Sequence, residues 1–126
     1  MSGSDALRAL IARHCETLRS ELRGLRAVSQ RLGDCPDDAG AAIADGLERA
    51  HKLKGSSGSL GYPEISVAAA EFENCLKMLE VATGNAAAMA VRETLSQFVV
   101  LEQLIVSVSP ERSTLYNVIL PEAAAG

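Results

Sequence analysis

One histidine in the chain is surrounded by residues that would let another molecule approach it. The segment His51–Gly61 reads HKLKGSSGSLG, with lysine at position 54 and glycine at positions 55 and 58. Glycine in a helix costs about 1 kcal/mol relative to alanine, so its presence favours access over stability. A neutral imidazole carries a nitrogen lone pair that can attack an electrophile. The segment therefore predicts that His51 is a reactive side chain.

A helix through this segment would hold the histidine beside its buried face, within reach of solvent. At about 100° per residue, the strip that includes the histidine consists mostly of small residues. Its other members are Ala44, Glu48, Gly55 and Gly58. A flat partner surface could reach the ring across this strip. Two alternatives stay open, because close helix packing would also suit Gly58 and Gly46, and a histidine that only fills the bundle edge would have the same spacing.

Helix-breaking residues divide the chain into four helical segments and a tail. The predicted helices run from about residue 4 to 33, 36 to 61, 63 to 84 and 85 to 108. Ser4 and Asp5 are the candidates for the first N-cap, and Pro36 with the acids that follow it signals the second helix. Short links between such segments predict an all-α fold. We expect an antiparallel up-down four-helix bundle over residues 1–108 and a short C-terminal tail over residues 109–126.

Inner faces follow from the helical spacing of apolar residues. The second helix should bury Ile43, Gly46, Leu47, Ala50, Leu53 and Ser57, and the fourth Met89, Val91, Leu95, Phe98, Ile105 and Val108. The fourth helix also carries a surplus of apolar residues, which are Val99, Val100, Leu101, Leu104 and Val106. We expect the tail to dock on the bundle and cover this surplus. The alternative is a second copy of the chain, which would form a dimer through the fourth helix.

Composition and charge argue against several classes of function. The chain has 126 residues, a formal net charge of −4 and a pI near 5.1, which argues against a nucleic-acid-binding domain. No apolar run is long enough for a signal peptide core or a membrane span. The three cysteines form no CxxC pair, and no two histidines or cysteines have the i, i+4 spacing of metal ligands. We expect a monomeric cytoplasmic protein that uses neither metal nor cofactor and binds neither nucleic acid nor membrane.

The eleven residues that begin at the histidine resemble a family signature. His-x-Leu-Lys-Gly-Ser-Ser-x-x-Leu-Gly is similar to the motif of histidine phosphotransfer (HPt) domains, the phosphoryl carriers of multistep two-component relays, and every fixed position is met between His51 and Gly61. The similarity extends over about residues 4 to 108. It implies that His51 accepts a phosphoryl group from an aspartyl phosphate and passes it to another aspartate. The implied partners are receiver domains of response regulators and of hybrid histidine kinases.

The resemblance also implies roles for the neighbours of the histidine. Lys54 would balance the charge of the phosphoryl group, and Gly55 would give clearance to the partner. A polar side chain on the following helix orients the ring in this family, and the matching position here is Glu73, where many relatives carry glutamine. A carboxylate would strengthen the nucleophile and also favour the unreactive imidazolium at lower pH. A solvated Glu73 is the plain alternative, and Glu71 is the substitute if the register differs.

The remaining polar residues of the region have simpler expected roles. Lys52 and Arg49 should be solvated charges that steer an acidic receiver surface, and Lys52 joins the strip of small residues as a docking residue. Ser56 should bond a backbone carbonyl one turn back, and Ser57 should face the core. His14 lies on an arginine-rich helix, so we expect it at the surface.

These inferences predict a phosphoryl carrier that has no ATP-dependent kinase activity of its own, because the chain has no nucleotide-binding loop. Two alternatives remain. One is a helical interaction module that regulates a kinase or a receiver without carrying phosphate. The other is a dimeric phosphotransferase that resembles a kinase dimerisation domain.

Overall fold

A computed structural model describes residues 2–34 and 39–118. The helices are α1 (Gly3–Asp34), α2 (Ala39–Ser59), α3 (Pro63–Val81) and α4 (Asn85–Val106), followed by a short 3-10 turn (Pro110–Arg112). Each helix packs against the next along the chain, and α4 returns to α1, which closes the bundle. The predicted all-α four-helix bundle is confirmed, and the described residues contain no strand. Pro36, the expected start signal of the second helix, lies outside the described residues.

The first helix begins earlier than the sequence predicted. The backbone N–H of Asp5 donates to the Ser2 hydroxyl at 3.1 Å, and the Ser2 N–H donates back to the Asp5 carboxylate at 3.4 Å. This reciprocal pair satisfies amide groups that the first helical turn leaves without partners. Ser2 is therefore the cap, and the prediction that Ser4 or Asp5 caps α1 was wrong.

The junction between α2 and α3 sets how these two helices pair. Gly61 has a φ of 88°, a left-handed conformation that favours glycine, and Pro63 opens α3 in the first helical turn. Further from the junction the helices approach closely, since a Cβ on Gly46 would lie 2.8 Å from a methyl carbon of Leu76. The predicted packing role of Gly46 is thereby confirmed. The junction turns the chain so that α3 runs back along α2.

The buried stripe of α4 differs from the predicted one near its start. Met89 is 60% exposed, whereas Thr94, Leu101 and Ile105 are fully buried and Phe98 is buried with 8% exposure. The predicted burial of Phe98 and Ile105 is confirmed, and that of Met89 was wrong. Threonine is tolerated in the core because its hydroxyl donates to the Ala90 carbonyl at 2.7 Å.

The described part of the tail docks on the α2–α3 junction. The Ser113 hydroxyl donates to the Leu60 carbonyl at 2.7 Å, and the Thr114 N–H donates to the Gly61 carbonyl at 2.9 Å. Arg8 of α1 donates to the Tyr116 carbonyl at 2.9 Å, and its guanidinium lies 4.5 Å from the centre of the Tyr116 ring. Residues 119–126 lie outside the described part.

The described part of the tail, residues 109–118, does not cover the exposed valines of α4. Val99, Val100 and Val106 remain 46%, 47% and 64% exposed, so residues 109–118 leave most of the apolar surplus uncovered. The reason is that the tail is held by backbone hydrogen bonds at the junction and by Arg8 of α1.

Among the described helices, none combines the length and apolar character that crossing a membrane requires.

Candidate functional site

His51 lies in the middle of α2 with its ring in solvent. Its side chain is 71% exposed, while Ala50 and Leu53 on either side are buried in the core. The burial of these neighbours fixes the rotation of α2 and turns His51 outward. The predicted accessibility of the ring is confirmed.

Glu73 of α3 holds one nitrogen of this ring. The distance from His51 Nδ1 to Glu73 Oε2 is 3.0 Å, and Glu73, which follows the buried Phe72, is itself only 5% exposed. An ionised carboxylate can only accept hydrogen bonds, so Nδ1 carries the proton and donates it. The outer nitrogen, Nε2, then has the free lone pair. Glu71, the substitute considered from the sequence, is exposed.

The second oxygen of the same carboxylate binds the lysine of the motif. Lys54 Nζ donates to Glu73 Oε1 at 2.9 Å, so that Glu73 bridges Lys54 and His51. Burial alone would raise the pKa of Glu73, but the hydrogen bonds from Lys54 and His51, with the positive charges of Lys54 and Lys77, lower it below its ordinary value. Glu73 is therefore ionised at neutral pH, and its charge is balanced by that of Lys54. The sequence did not predict the pairing of Lys54 with Glu73.

Contacts between α2 and α3 fix the backbone around this site. The Ser66 hydroxyl of α3 donates to the Lys54 carbonyl at 2.8 Å, and a Cβ on Gly58 would lie 3.2 Å from the same hydroxyl. Gly58 therefore has a packing role in addition to its exposure. Ser56 donates to the Lys52 carbonyl at 2.9 Å, and Ser57 is buried, as the sequence predicted for both.

The strip beside the histidine is exposed along its whole length. Its members are Ala44, Glu48, Lys52, Gly55 and Gly58. A Cβ on Gly55 would meet no atom within 4 Å, so no contact inside the described part of the protein accounts for this glycine. Lys52 pairs with Glu48 at 3.0 Å on the surface, where such pairs contribute little to stability. The docking role of the strip remains a prediction.

Arg49 differs from the solvated charge that the sequence predicted. Its guanidinium binds Glu21 of α1 at 2.8 Å and Asp45 at 3.0 Å, and only 32% of its side chain is exposed. Arg49 thus joins α2 to α1, on the side of α2 away from the candidate site.

The prediction of a surface position for His14 was wrong. His14 is 5% exposed, its Nε2 lies 3.1 Å from the Ser57 hydroxyl, and its ring centre lies 5.8 Å from that of Tyr62. Its neighbours Ile11, Cys15 and Leu18 are all buried, so the helical spacing of these residues could have revealed it. Burial lowers the pKa of His14 and keeps the ring neutral at physiological pH.

No group of three or more histidine, cysteine, aspartate or glutamate side chains within residues 2–34 and 39–118 is arranged to hold a metal ion. The candidate site instead brings together the imidazole of His51, the carboxylate of Glu73 and the ammonium group of Lys54. Together they present one nitrogen lone pair to solvent, next to a cation that can turn toward an incoming anion.

A family model described as the Hpt domain matches residues 5–108. The match includes most of α1, all of the three following helices and the three polar residues of the candidate site. No curated protein and no solved structure is similar enough to count as a match.

Proposed function

The chain belongs to the Hpt domain family of histidine phosphotransfer modules, and from that premise we propose that His51 is its phospho-acceptor. The role in general is phosphotransfer through histidine in a phosphorelay. The observation that carries the assignment is the orientation of the ring, since Nδ1 is held by Glu73 at 3.0 Å while 71% of the side chain is exposed. His14, the other histidine, is buried.

The proposed donor is an aspartyl phosphate on a receiver domain. The Nε2 lone pair of His51 attacks phosphorus, and a nitrogen–phosphorus bond forms as the phosphorus–oxygen bond to the aspartyl carboxylate breaks. The carboxylate leaves with the bonding electrons, and Nδ1 keeps its proton. The imidazole thus gains positive charge, which Glu73 balances from 3.0 Å. Transfer to a second receiver runs the same steps in reverse.

Lys54 has the charge that the transferred group requires. Charge in phosphoryl transfer lies on the peripheral oxygens, so a positioned cation stabilises the transition state. Lys54 is bound to Glu73 in this structure, but 37% of its side chain is exposed, so its ammonium group can turn outward. We assign it to the phosphoryl oxygens during transfer.

The receiver would approach across the strip of small residues. Gly55 leaves open space above α2, and Ala44, Glu48, Lys52 and Gly58 border it as exposed residues. Receiver domains of response regulators and of hybrid histidine kinases are the proposed partners, and the carrier has no ATP-dependent kinase activity of its own. A cytoplasmic monomer remains part of this proposal. The exposed valines of α4 make a dimer the alternative, which a solution mass measurement distinguishes.

The test uses a receiver domain phosphorylated with a labelled small-molecule donor. The wild-type protein should acquire label that is lost in acid and stable in base, as expected for phosphohistidine. His51→Gln should acquire none, and His14→Gln is the matched control that should still be labelled. Labelling of His51→Gln would contradict the assignment of the acceptor.

A further inference from the structure

Phosphorylation would create a charge problem at this site. A phosphoryl group brings roughly two negative charges next to Glu73, which is already ionised and only 5% exposed. If Lys54 turns to the phosphoryl oxygens, the carboxylate loses the cation that now lies 2.9 Å from it. The phosphorylated ring becomes a cation 3.0 Å from Glu73, but the carboxylate and the phosphoryl group together carry roughly three negative charges, and only the ring and Lys54 oppose them. The uncompensated negative charge is costly beside a buried carboxylate. A carboxylate at position 73 therefore calls for a second cation.

Lys77 is placed to supply that charge. It follows Glu73 by four residues on α3, and residues at this spacing are neighbours on one helix face. Lys77 is exposed, and its ammonium group forms no hydrogen bond or ion pair with any residue that the structure describes. Its positive charge, like that of Lys54, lowers the pKa of the Glu73 carboxylate.

We propose that Lys77 takes over the charge of Glu73 when Lys54 turns to the phosphoryl group on His51. The inference rests on the proposed function and deepens it. Lys77 is a positioning residue, since it acts on Glu73 and has no contact with the reacting atoms. Its contribution should exist only while position 73 carries a carboxylate, because a neutral amide needs no counter-ion.

The experiment is a double-variant cycle on the rate of phosphoryl uptake in a single turnover. Lys77→Met should slow uptake by about tenfold in the presence of Glu73 and by less than about twofold in a Glu73→Gln background. Lys77→Arg, which keeps the positive charge, should take up the phosphoryl group at close to the wild-type rate. Arg23→Met is the matched control, because it removes one positive charge from an exposed position on α1 and should leave uptake unchanged.

These results distinguish a role of Lys77 as counter-ion to Glu73 from a role in attracting the receiver. Equal slowing by Lys77→Met in both backgrounds would mean that Lys77 steers the receiver. It would overturn the proposal that Lys77 replaces Lys54 as the counter-ion of Glu73. An unchanged rate would overturn it as well. Failure of Lys77→Arg to restore the rate would contradict a role based on charge. The proposed function is tested separately, by labelling of the wild-type protein and of His51→Gln. A wild-type protein that acquires no label would contradict that function itself.

Discussion

The two histidines of this chain occupy opposite kinds of environment around the same helix. His14 is 5% exposed and pairs with the Ser57 hydroxyl of α2, whereas the His51 side chain is 71% exposed and pairs with the Glu73 carboxylate. Burial inside the bundle keeps the first ring inaccessible and, by lowering its pKa, uncharged. A charged partner at the edge fixes the tautomer of the second ring and leaves Nε2 free. The difference shows that access and an anionic anchor distinguish the candidate acceptor.

The groups around each histidine follow the same division. Near His14, burial and a hydrogen bond with Cys15 raise the pKa of Tyr62, so that both aromatic rings stay in their neutral forms. At the other site, hydrogen bonds from Lys54 and His51 outweigh burial, lower the pKa of Glu73 and keep it ionised. The region around His14 therefore contributes neutral polar contacts to the bundle, whereas the region around His51 contains charged side chains that are accessible for a reaction.

Replacing each histidine by alanine should separate stability from function most strongly. His14→Ala removes a buried ring and leaves the Ser57 hydroxyl without its partner, which should lower the free energy of unfolding by about 2–3 kcal/mol. His51→Ala removes an exposed ring and its hydrogen bond to Glu73, which keeps Lys54 as a partner, and should lower it by about 1 kcal/mol or less. Urea denaturation measures both values. A large loss for His51→Ala, or none for His14→Ala, would break the comparison.

The pH dependence of stability should report the buried histidine. Because burial lowers the pKa of His14 below the ordinary value of 6.5, the unfolded chain binds a proton first as the pH falls. The stability that neutral His14 contributes is therefore present above pH 6.5 and is lost as the pH falls below that value. The slope cannot exceed about 1.4 kcal/mol per pH unit for one proton.

The control for this dependence is His14→Gln, which keeps a hydrogen-bonding group near Ser57 but does not titrate. Denaturation curves at pH 7.5 and pH 5.5 would be compared for both proteins. The variant should lose less stability than the wild-type protein over this interval. If both proteins lose the same amount, a different group titrates.

The glycines of α2 should show a smaller effect in opposite directions. Gly55→Ala places a methyl group in open space, so the higher helix propensity of alanine should raise the free energy of unfolding by up to about 1 kcal/mol. Gly46→Ala should lower it, because the new Cβ would lie 2.8 Å from a carbon of Leu76. If the receiver packs against the strip, Gly55→Ala should also slow phosphoryl uptake. Unchanged uptake would remove Gly55 from the docking surface.

Much of the architecture was accessible from the spacing of apolar residues. The four helices, their breaks at Gly61 and Pro63, and the inner face through Ala50 and Leu53 follow from periodicity and helix-ending residues. The pairing of His51 with Glu73 came from the family resemblance, because no local pattern links residues 22 positions apart.

Several features depend on how the helices meet, which one sequence does not specify. The arginines of α1 suggested a solvated face at His14, but the helix turns that residue toward Ser57. The resemblance assigned Lys54 only to the phosphoryl group, whereas in the structure it pairs with the buried carboxylate of Glu73. The tail docks at the α2–α3 junction because backbone groups near Gly61 offer hydrogen bonds, which apolar content does not predict.

The most direct test of the central claim identifies the phosphorylated atom. Nuclear magnetic resonance of the protein, labelled with ¹⁵N in its histidines and phosphorylated by a receiver, distinguishes the two ring nitrogens of each histidine. We expect phosphorus on Nε2 of His51, with Nδ1 still protonated and His14 unmodified. Phosphorus on Nδ1 of His51, or on either nitrogen of His14, would contradict the claim.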